Sequence, residues 1–150
     1  MENHDNYMRQ ALILAKKASV NGEVPVGAIV VKNGKVIASA CNFRETGKDA
    51  TGHAEIIAIQ TACRAVGSWR LSGCDLYVTL EPCPMCAGAI INARIDRVFY
   101  GAKDARGGAF GSVMDLRSYP LFSKPRVVGG VCECECREVL QEFFRNKRKG

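Results

Sequence analysis

The feature that most constrains the fold of this chain is a set of three metal-ligand side chains divided between two distant segments. His53-Ala54-Glu55 forms the first segment, and Pro82-Cys83-Pro84-Met85-Cys86 follows after the length of a helix and a strand. An imidazole and two thiolates are the ligand types that zinc prefers. The fold must therefore bring the two segments to one point, and we expect a helix to begin at each of them.

The number of ligands indicates the kind of zinc site. A structural zinc usually has four protein ligands, whereas three protein ligands and a water form the catalytic arrangement. We therefore predict that His53, Cys83 and Cys86 bind Zn²⁺ and leave a position for water. Glu55 lies two residues after His53 on a predicted helix, so the two side chains diverge. Glu55 is expected to move protons for that water, and the pattern predicts metal-assisted hydrolysis.

The combination of residues, more than the histidine itself, supports this site. A single histidine is more often a core or surface residue than a ligand. The sequence contains two histidines, and His4 lies near the N-terminus, which leaves His53 as the candidate ligand. Glu55 and the Pro-Cys-x-x-Cys segment stand at suitable places beside it, so the three features together favour a metal site.

The composition is that of an ordinary globular protein, with 47% hydrophobic and 24% charged residues. A chain of 150 residues is long enough to bury a sizeable core, and we expect a single domain over residues 1–150. No apolar run approaches the length of a membrane span. The polar, acidic N-terminus does not resemble a secretory signal. We expect a cytoplasmic protein with no membrane partner.

The eight cysteines are predicted to be reduced, because no export signal accompanies them and two belong to the metal motif. Three others stand singly in apolar surroundings and are predicted core residues: Cys41, Cys63 and Cys74. Cys132, Cys134 and Cys136 alternate with glutamates. A second metal site there is the less favoured interpretation, because no histidine or partner pair accompanies them. On a helix, Cys132, Cys136 and Leu140 would share a buried face.

The charge distribution leaves two interpretations open. The net charge is +6, and basic residues cluster at the C-terminus in Phe143-Phe144-Arg145-Asn146-Lys147-Arg148-Lys149. On charge alone we favour a solvated helix end, where cations suit the helix dipole. The alternative is a phosphate-binding tail, as in proteins with a polyanionic partner.

Hydrophobic periodicity predicts helices and strands in alternation. Helices are predicted at residues 5–20, 53–66, 85–93, 113–117 and 134–147, with Thr51 as a candidate cap of the second. Strands are predicted at residues 26–32, 36–41, 76–80 and 97–100. Asn33-Gly34 is a strong hairpin signal between the first two strands. Helices interleaved with strands after an opening hairpin predict a three-layer α/β fold with a mixed sheet.

Six stretches carry a resemblance to known sequences: Gly22–Val31, Asp49–Ile56, Leu76–Ile90, Arg94–Gly101, Gly107–Val113 and Phe143–Arg145. The metal motif is similar to that of the zinc-dependent cytidine/deoxycytidylate deaminase superfamily. The Gly-Glu-Val-Pro-Val-Gly, Leu-Glu-Pro-Cys and Phe-Phe-Arg stretches narrow the resemblance to the bacterial tRNA-specific adenosine deaminases.

The resemblance implies a cytidine deaminase-like fold, a three-layer α/β/α sandwich with a central mixed five-stranded sheet. It also implies that adenosine becomes inosine at the wobble position of a tRNA anticodon, on a nucleotide flipped out of its loop. Glu55 would carry the protons, Asn42 would hydrogen-bond the base, and Val26 with the Pro25 turn would line the pocket. Arg145 and the basic tail would bind the anticodon loop.

The resemblance further implies a homodimer whose pocket is partly completed by the second subunit, with the apolar residues 85–91 available for that contact. The chain departs from the family at two places. Ala50 and Gly52 stand where the family usually has proline and alanine, and the segment around Ser123-Lys124 lacks an Asn-His pair.

Two other functions remain open from the sequence. A deaminase of a free base or nucleoside, of the guanine or cytosine type, would use the same four site residues but would not need the Phe-Phe-Arg stretch. A structural zinc in an RNA-binding module is the less favoured alternative, because it lacks a fourth ligand and leaves Glu55 unexplained.

Overall fold

The computed structural model describes residues 3–149, which form four α-helices, five β-strands and a short 3₁₀ helix at Leu116–Ser118. The helices are α1 (His4–Val20), α2 (Ala54–Val66), α3 (Pro84–Asn92) and α4 (Glu133–Lys149). The strands are β1 (Gly27–Lys32), β2 (Lys35–Cys41), β3 (Cys74–Leu80), β4 (Arg97–Ala102) and β5 (Arg126–Val128). Within these residues, no helix is both long enough and apolar enough to cross a membrane.

The strands form one mixed sheet in the order β2-β1-β3-β4-β5. β1 pairs antiparallel with β2 and β3, whereas β3, β4 and β5 run parallel. The β1–β2 hairpin turns at Asn33 and Gly34, whose φ angles of 51° and 75° are those that a tight two-residue hairpin requires. The five-stranded mixed sheet and its flanking helices confirm the predicted fold class.

Each face of the sheet packs against two helices. Strand residues alternate between the faces, as a period of two requires. One face joins α2 and α3 in a core that includes Ala28, Val30, Leu76, Val78, Ala58 and Ile90. The other face joins α1 and α4 in a core that includes Ile29, Val31, Tyr77, Phe99, Met8 and Cys136. These two cores make the three layers.

One edge of the sheet collects the chain segments that carry the predicted site. Gly27 at the start of β1 pairs with Cys41 at the end of β2, and Leu80 near the end of β3 pairs with Ala102 at the end of β4. The loops that follow β2, β3 and β4 therefore leave the sheet at the same edge. α2 begins after the first of these loops and α3 after the second.

Three local predictions differ from the structure. β5 has no counterpart among the strands predicted from periodicity, because its three residues are too few to show alternation. The helix predicted at residues 113–117 is instead a single 3₁₀ turn at Leu116–Ser118, capped by the Asp115 side chain. Thr51 does not cap α2, because the N-cap residue is His53 and the Thr51 hydroxyl donates to Asp49.

The cysteines outside the metal motif divide by burial. All eight are free thiols, and Cys74 and Cys136 are buried, whereas Cys41 and Cys63 are half-buried. Cys132 lies just before α4, and with Leu140 it packs against the core cluster that contains Cys136. Cys134, between them in the sequence, is exposed, so the packing interpretation applies to Cys132 and Cys136 and not to Cys134.

Candidate metal centre

The three predicted ligands meet because two helices begin at them. His53 is the N-cap residue of α2 and Cys83 is the N-cap residue of α3, and neither side chain makes a capping hydrogen bond. Serine, threonine, aspartate and asparagine are the usual residues at this position. Both helices therefore lack a side-chain cap and have an imidazole (α2) or a thiol (α3) at the N-cap position. Pro84 opens α3 and brings the buried Cys86 into its first turn.

The ligand atoms stand at the separations that a tetrahedral zinc site requires. His53 Nδ1 lies 3.6 Å from Cys83 Sγ and 3.5 Å from Cys86 Sγ. All the ligand atoms lie within 4.8 Å of one another. Zinc–nitrogen and zinc–sulfur bonds of ordinary length at tetrahedral angles give a nitrogen–sulfur separation of about 3.6 Å. The donor set and its spacing therefore fit a metal ion. Within residues 3–149 it is the one cluster of this kind.

The protonation of the thiols is set by their contact with each other. A hydrogen bond from the Cys86 thiol, helped by the nearby imidazole, lowers the pKa of Cys83 to about 4. The same hydrogen bond, together with burial, raises the pKa of Cys86. The hydrogen bond to Cys83 also raises the pKa of His53. The shared hydrogen bond therefore favours the thiolate form of Cys83 and the thiol form of Cys86, and metal binding requires both to be thiolates.

Glu55 lies beside the cluster at the beginning of α2, where it is 4% exposed. Burial raises the pKa of Glu55 to about 7. A carboxyl group with such a pKa can both accept and release a proton near neutral pH, which is what general acid–base catalysis requires. Glu55 lines the same cavity as His53 and Cys83 and does not belong to the cluster of potential ligand atoms.

A cavity of about 160 Å³ opens in front of Glu55 and the ligands. Its wall is formed by residues from the loops at one edge of the sheet and from the beginning of α2: Val24, Val26, Asn42, Arg44, His53, Ala54, Glu55, Leu80, Glu81, Cys83 and Asp104. This volume is below the 300–1,000 Å³ that is typical of pockets for drug-sized ligands. The cavity can therefore enclose a single heterocyclic ring but not a whole nucleotide.

The remaining predicted site residues fall into two groups. Val26 and Asn42 line the cavity, and the Asn42 side chain donates to Val24 O and accepts from the Arg44 backbone N–H. Pro25 is buried but does not line the cavity. Arg145 lies outside this cavity, in a separate groove along α4.

The groove along α4 lies on the surface next to the cavity. It has a volume of about 530 Å³ and is lined by Ala102, Lys103, Arg137, Leu140, Gln141, Phe144 and Arg145. Lys103 in its wall directly precedes Asp104, which lines the metal cavity. The side chains of Arg148 and Lys149, which belong to the predicted basic tail, lie outside the described residues.

Two residues of the cavity wall have no sequence signal. Arg44 is exposed at the cavity and makes no ion pair with another described residue. Asp104 lines the cavity from the loop after β4 and accepts hydrogen bonds from the backbone N–H groups of Arg106 and Gly107. Both are charged loop residues without a recognisable motif, so only the three-dimensional arrangement reveals them.

Two buried carboxylates hold the loops that carry these residues. Glu81 is 2% exposed and accepts hydrogen bonds from the backbone N–H groups of Asp104, Phe110 and Ser112, and also from the Ser112 hydroxyl. Gly108 packs directly on this carboxylate, where a Cβ atom would overlap it. Glu23, which is 1% exposed, holds the loop after β2 in a similar way.

Comparisons with known proteins agree with this geometry. Residues 2–148 match a sequence family described as MafB19-like deaminase. A tRNA-specific adenosine deaminase of Bacillus subtilis (strain 168) is 49% identical over 150 residues, which cover 99% of this chain and 93% of that protein.

Solved structures are similar over most of the chain. One, from a study of A-to-I editing by tRNA:A34 deaminases at the wobble position, has a TM-score of 0.87 and 48% identity, covering 90% of this chain and 99% of that one. A guanine deaminase from Bacillus subtilis has a TM-score of 0.66 and 39% identity, covering 85% of this chain and 83% of that one. With this extent of similarity and this ligand geometry, the chain belongs to the MafB19-like deaminases and, within them, to the family of the tRNA-specific adenosine deaminases.

Proposed function

We propose that this protein is a zinc-dependent hydrolytic deaminase that converts adenosine to inosine at the wobble position of a tRNA anticodon. The observation that carries the proposal is the meeting of His53, Cys83 and Cys86 at zinc-binding separations beside the buried Glu55. The similarity to tRNA-specific adenosine deaminases over nearly the whole chain supports the choice of substrate.

In the proposed mechanism, His53, Cys83 and Cys86 hold the metal. Bound zinc supplies the activation of a water molecule near neutral pH. Glu55 would take a proton from water and deliver it to the ring nitrogen of the base, while the oxygen adds to the amine-bearing carbon and the ring carbon–nitrogen double bond becomes a single bond. Glu55 would then move the proton of the added hydroxyl to the amine, so that the exocyclic carbon–nitrogen bond breaks, a carbonyl forms and ammonia leaves. The raised pKa of Glu55 suits a group that must carry a proton in both directions.

Charged residues around the cavity support a nucleic acid substrate over a free nucleoside. The cavity has room for a base, so the sugar and phosphates of a flipped nucleotide would remain outside. Arg44 stands at that rim, where a guanidinium suits a phosphate group. A separate groove along α4 carries three further basic residues, Lys103, Arg137 and Arg145. We assign Asn42 to hydrogen bonds with the base and Val26, next to the Pro25 turn, to its apolar contact.

We further propose that the chain forms one domain and acts as a cytoplasmic homodimer. Support for a dimer comes from a groove between α2 and α3 that exposes large apolar side chains, including Trp69 at 56% and Phe122 at 73%. Met85, at the start of α3, is also exposed. Exposed apolar patches of this kind are typical of protein interfaces. Sedimentation velocity of the wild type and a Trp69→Glu variant tests this contact, because a charge there should shift the protein towards a monomer.

The experiment that tests the proposed function is incubation of the zinc-loaded protein with an anticodon stem-loop, free nucleosides and free bases, scoring ammonia release from each. Release from the stem-loop alone supports the proposal. A Glu55→Gln variant should retain its zinc and lose turnover. If the Glu55→Gln variant remained active, the proposed proton carrier would be wrong.

A second candidate function is the deamination of a free purine base. The 39% identity with a guanine deaminase structure favours it, because shared zinc chemistry does not fix the substrate. The segment containing Ser123 and Lys124 also departs from the tRNA enzymes. Ammonia release from guanine and none from the stem-loop would establish this second function in place of the first.

A further inference from the structure

Glu23 stands out because it is a buried carboxylate that makes no ion pair with a basic side chain among the described residues. It lies between α1 and β1 and is 1% exposed. The described residues supply it with backbone donors: its two oxygens accept from the N–H groups of Glu45 and Thr46, at 3.0 and 2.6 Å. Transfer of an ionised carboxylate from water into a protein is costly unless strong hydrogen bonds compensate. Burial acts to raise the pKa of Glu23, but hydrogen bonds from Thr46 and its neighbours outweigh burial and lower it.

The two backbone N–H groups that donate hydrogen bonds to Glu23 belong to the loop that forms one wall of the metal cavity. The loop runs from Asn42 to Gly52 and closes on itself through hydrogen bonds between Phe43 N and Gly52 O, and between Asp49 N and Arg44 O. A loop closed in this way can move as a unit. Its peptide bonds to Cys41 and His53, together with its hydrogen bonds to the neighbouring chain, fix its distance from the ligands.

Apart from the bond between His53 N and Thr51 O, the hydrogen bonds that link the loop to other described residues lead to one short segment. The Asn42 side chain donates to Val24 O, and the Asn42 backbone N–H donates to Val26 O. Glu23 supplies the charged hydrogen bonds next to them. The 23–26 segment and the loop therefore form one unit that contributes Val24, Val26, Asn42 and Arg44 to the cavity wall.

We infer that Glu23 is a positioning residue for the reaction, which acts through the backbone of Glu45 and Thr46 to set Asn42 and Arg44 at the mouth of the cavity. The inference rests on the proposed function in taking Asn42 and Arg44 as substrate contacts. It assigns Glu23 no contact with the substrate or the metal. A contact held equally in the ground state and the transition state affects KM more than kcat.

The test compares Glu23→Gln with Glu138→Gln, an exposed glutamate on α4 whose carboxylate makes no hydrogen bond with the described residues. Glu23→Gln replaces one acceptor oxygen with an NH₂ group that faces a backbone N–H. We expect KM for the anticodon stem-loop to rise about tenfold, the effect of about one charge-assisted hydrogen bond, with a smaller change in kcat and full zinc content. Glu138→Gln should match the wild type, and Glu23→Asp should lie between Glu23→Gln and the wild type.

A second measurement separates this inference from the proposed function. Amide hydrogen exchange at Glu45 and Thr46 should accelerate in Glu23→Gln whichever substrate the enzyme uses, and the KM effect should appear with any substrate that the wild type deaminates. A wild type that is inactive on the stem-loop would overturn the proposed function alone. Lower thermal stability with unchanged KM below the melting temperature would overturn the positioning role, because it is the result of a purely structural one.

Discussion

Replacement of Glu81 by glutamine should destabilise the protein, and the hydrogen bonds of the Glu81 carboxylate allow the loss of stability to be estimated. The carboxylate accepts from Asp104 N at 3.0 Å, from Phe110 N and Ser112 N at 3.1 Å each, and from the Ser112 hydroxyl. One oxygen faces Phe110 N and Ser112 N, and the other faces Asp104 N and the hydroxyl. The glutamine NH₂ group will take the second position, because there the Ser112 hydroxyl can rotate and accept.

In that orientation a single donor, the Asp104 N–H, loses its acceptor. An unsatisfied and partly buried donor costs about 1–3 kcal/mol, and two further bonds lose the strength that a charged acceptor gives them. The lower cost of burying a neutral amide offsets part of this loss. We therefore expect a decrease of about 2 kcal/mol in the free energy of unfolding, which corresponds to a fall of roughly 4–8 °C in Tm for a chain of this length.

Differential scanning calorimetry of the zinc-loaded protein measures this shift. Glu138→Gln is the matched control, because it makes the same chemical change on an exposed part of α4 and should alter stability by less than about 0.5 kcal/mol. Gly108→Ala should also lower Tm, since its Cβ atom would displace the Glu81 carboxylate. If Glu81→Gln and the control melt at the same temperature, the carboxylate does not hold the 104–112 loop.

Three further predictions concern the metal, acid and salt. Cys86→Ser should lose most of its zinc by metal analysis and lower Tm, because metal binding contributes to folding; a full zinc content would refute the ligand assignment. The folded-state pKa of Glu23 is below its ordinary value of 4.5, so its stabilising contribution is complete above that pH and is lost as the pH falls through the folded pKa. The free energies of unfolding of the wild type and Glu23→Gln should therefore converge below about pH 4.5 in an acid titration. Parallel curves of this free energy against pH would contradict the lowered pKa of Glu23. Arg44→Ala should weaken stem-loop binding and reduce the slope of log K against log salt by roughly one contact; an unchanged slope would show that Arg44 does not contact a phosphate.

The sequence predicted the metal cluster because its chemistry depends on residue type and spacing. His53, Cys83 and Cys86 have few alternative roles once Glu55 and the proline stand beside them. The fold class followed from strands and helices long enough to show their periods, such as α1 and the β1–β2 hairpin. β5 was missed because its three residues cannot show alternation.

The loop anchors could not be predicted from the sequence. Glutamates are almost always exposed, so nothing in the sequence distinguishes the buried Glu23 and Glu81 from the glutamates on the surface. Their partners are backbone N–H groups more than twenty residues away, which leave no trace in residue type. The prediction that Thr51 caps α2 was wrong for a related reason. The local rule favours a hydroxyl before a helix, whereas the chain uses that place for a ligand.

The beginnings of α2 and α3, which lack side-chain caps, connect metal binding at the proposed site to the position of Glu55. Each helix starts at a ligand that makes no capping hydrogen bond, and Glu55 lies in the first turn of α2. A metal ion bound at the proposed site would hold the beginnings of both helices at once and replace the caps that both lack. Under the proposed function, removal of the ion would loosen the first turn of each helix together and displace Glu55, so activity would be lost with local order rather than with the whole fold.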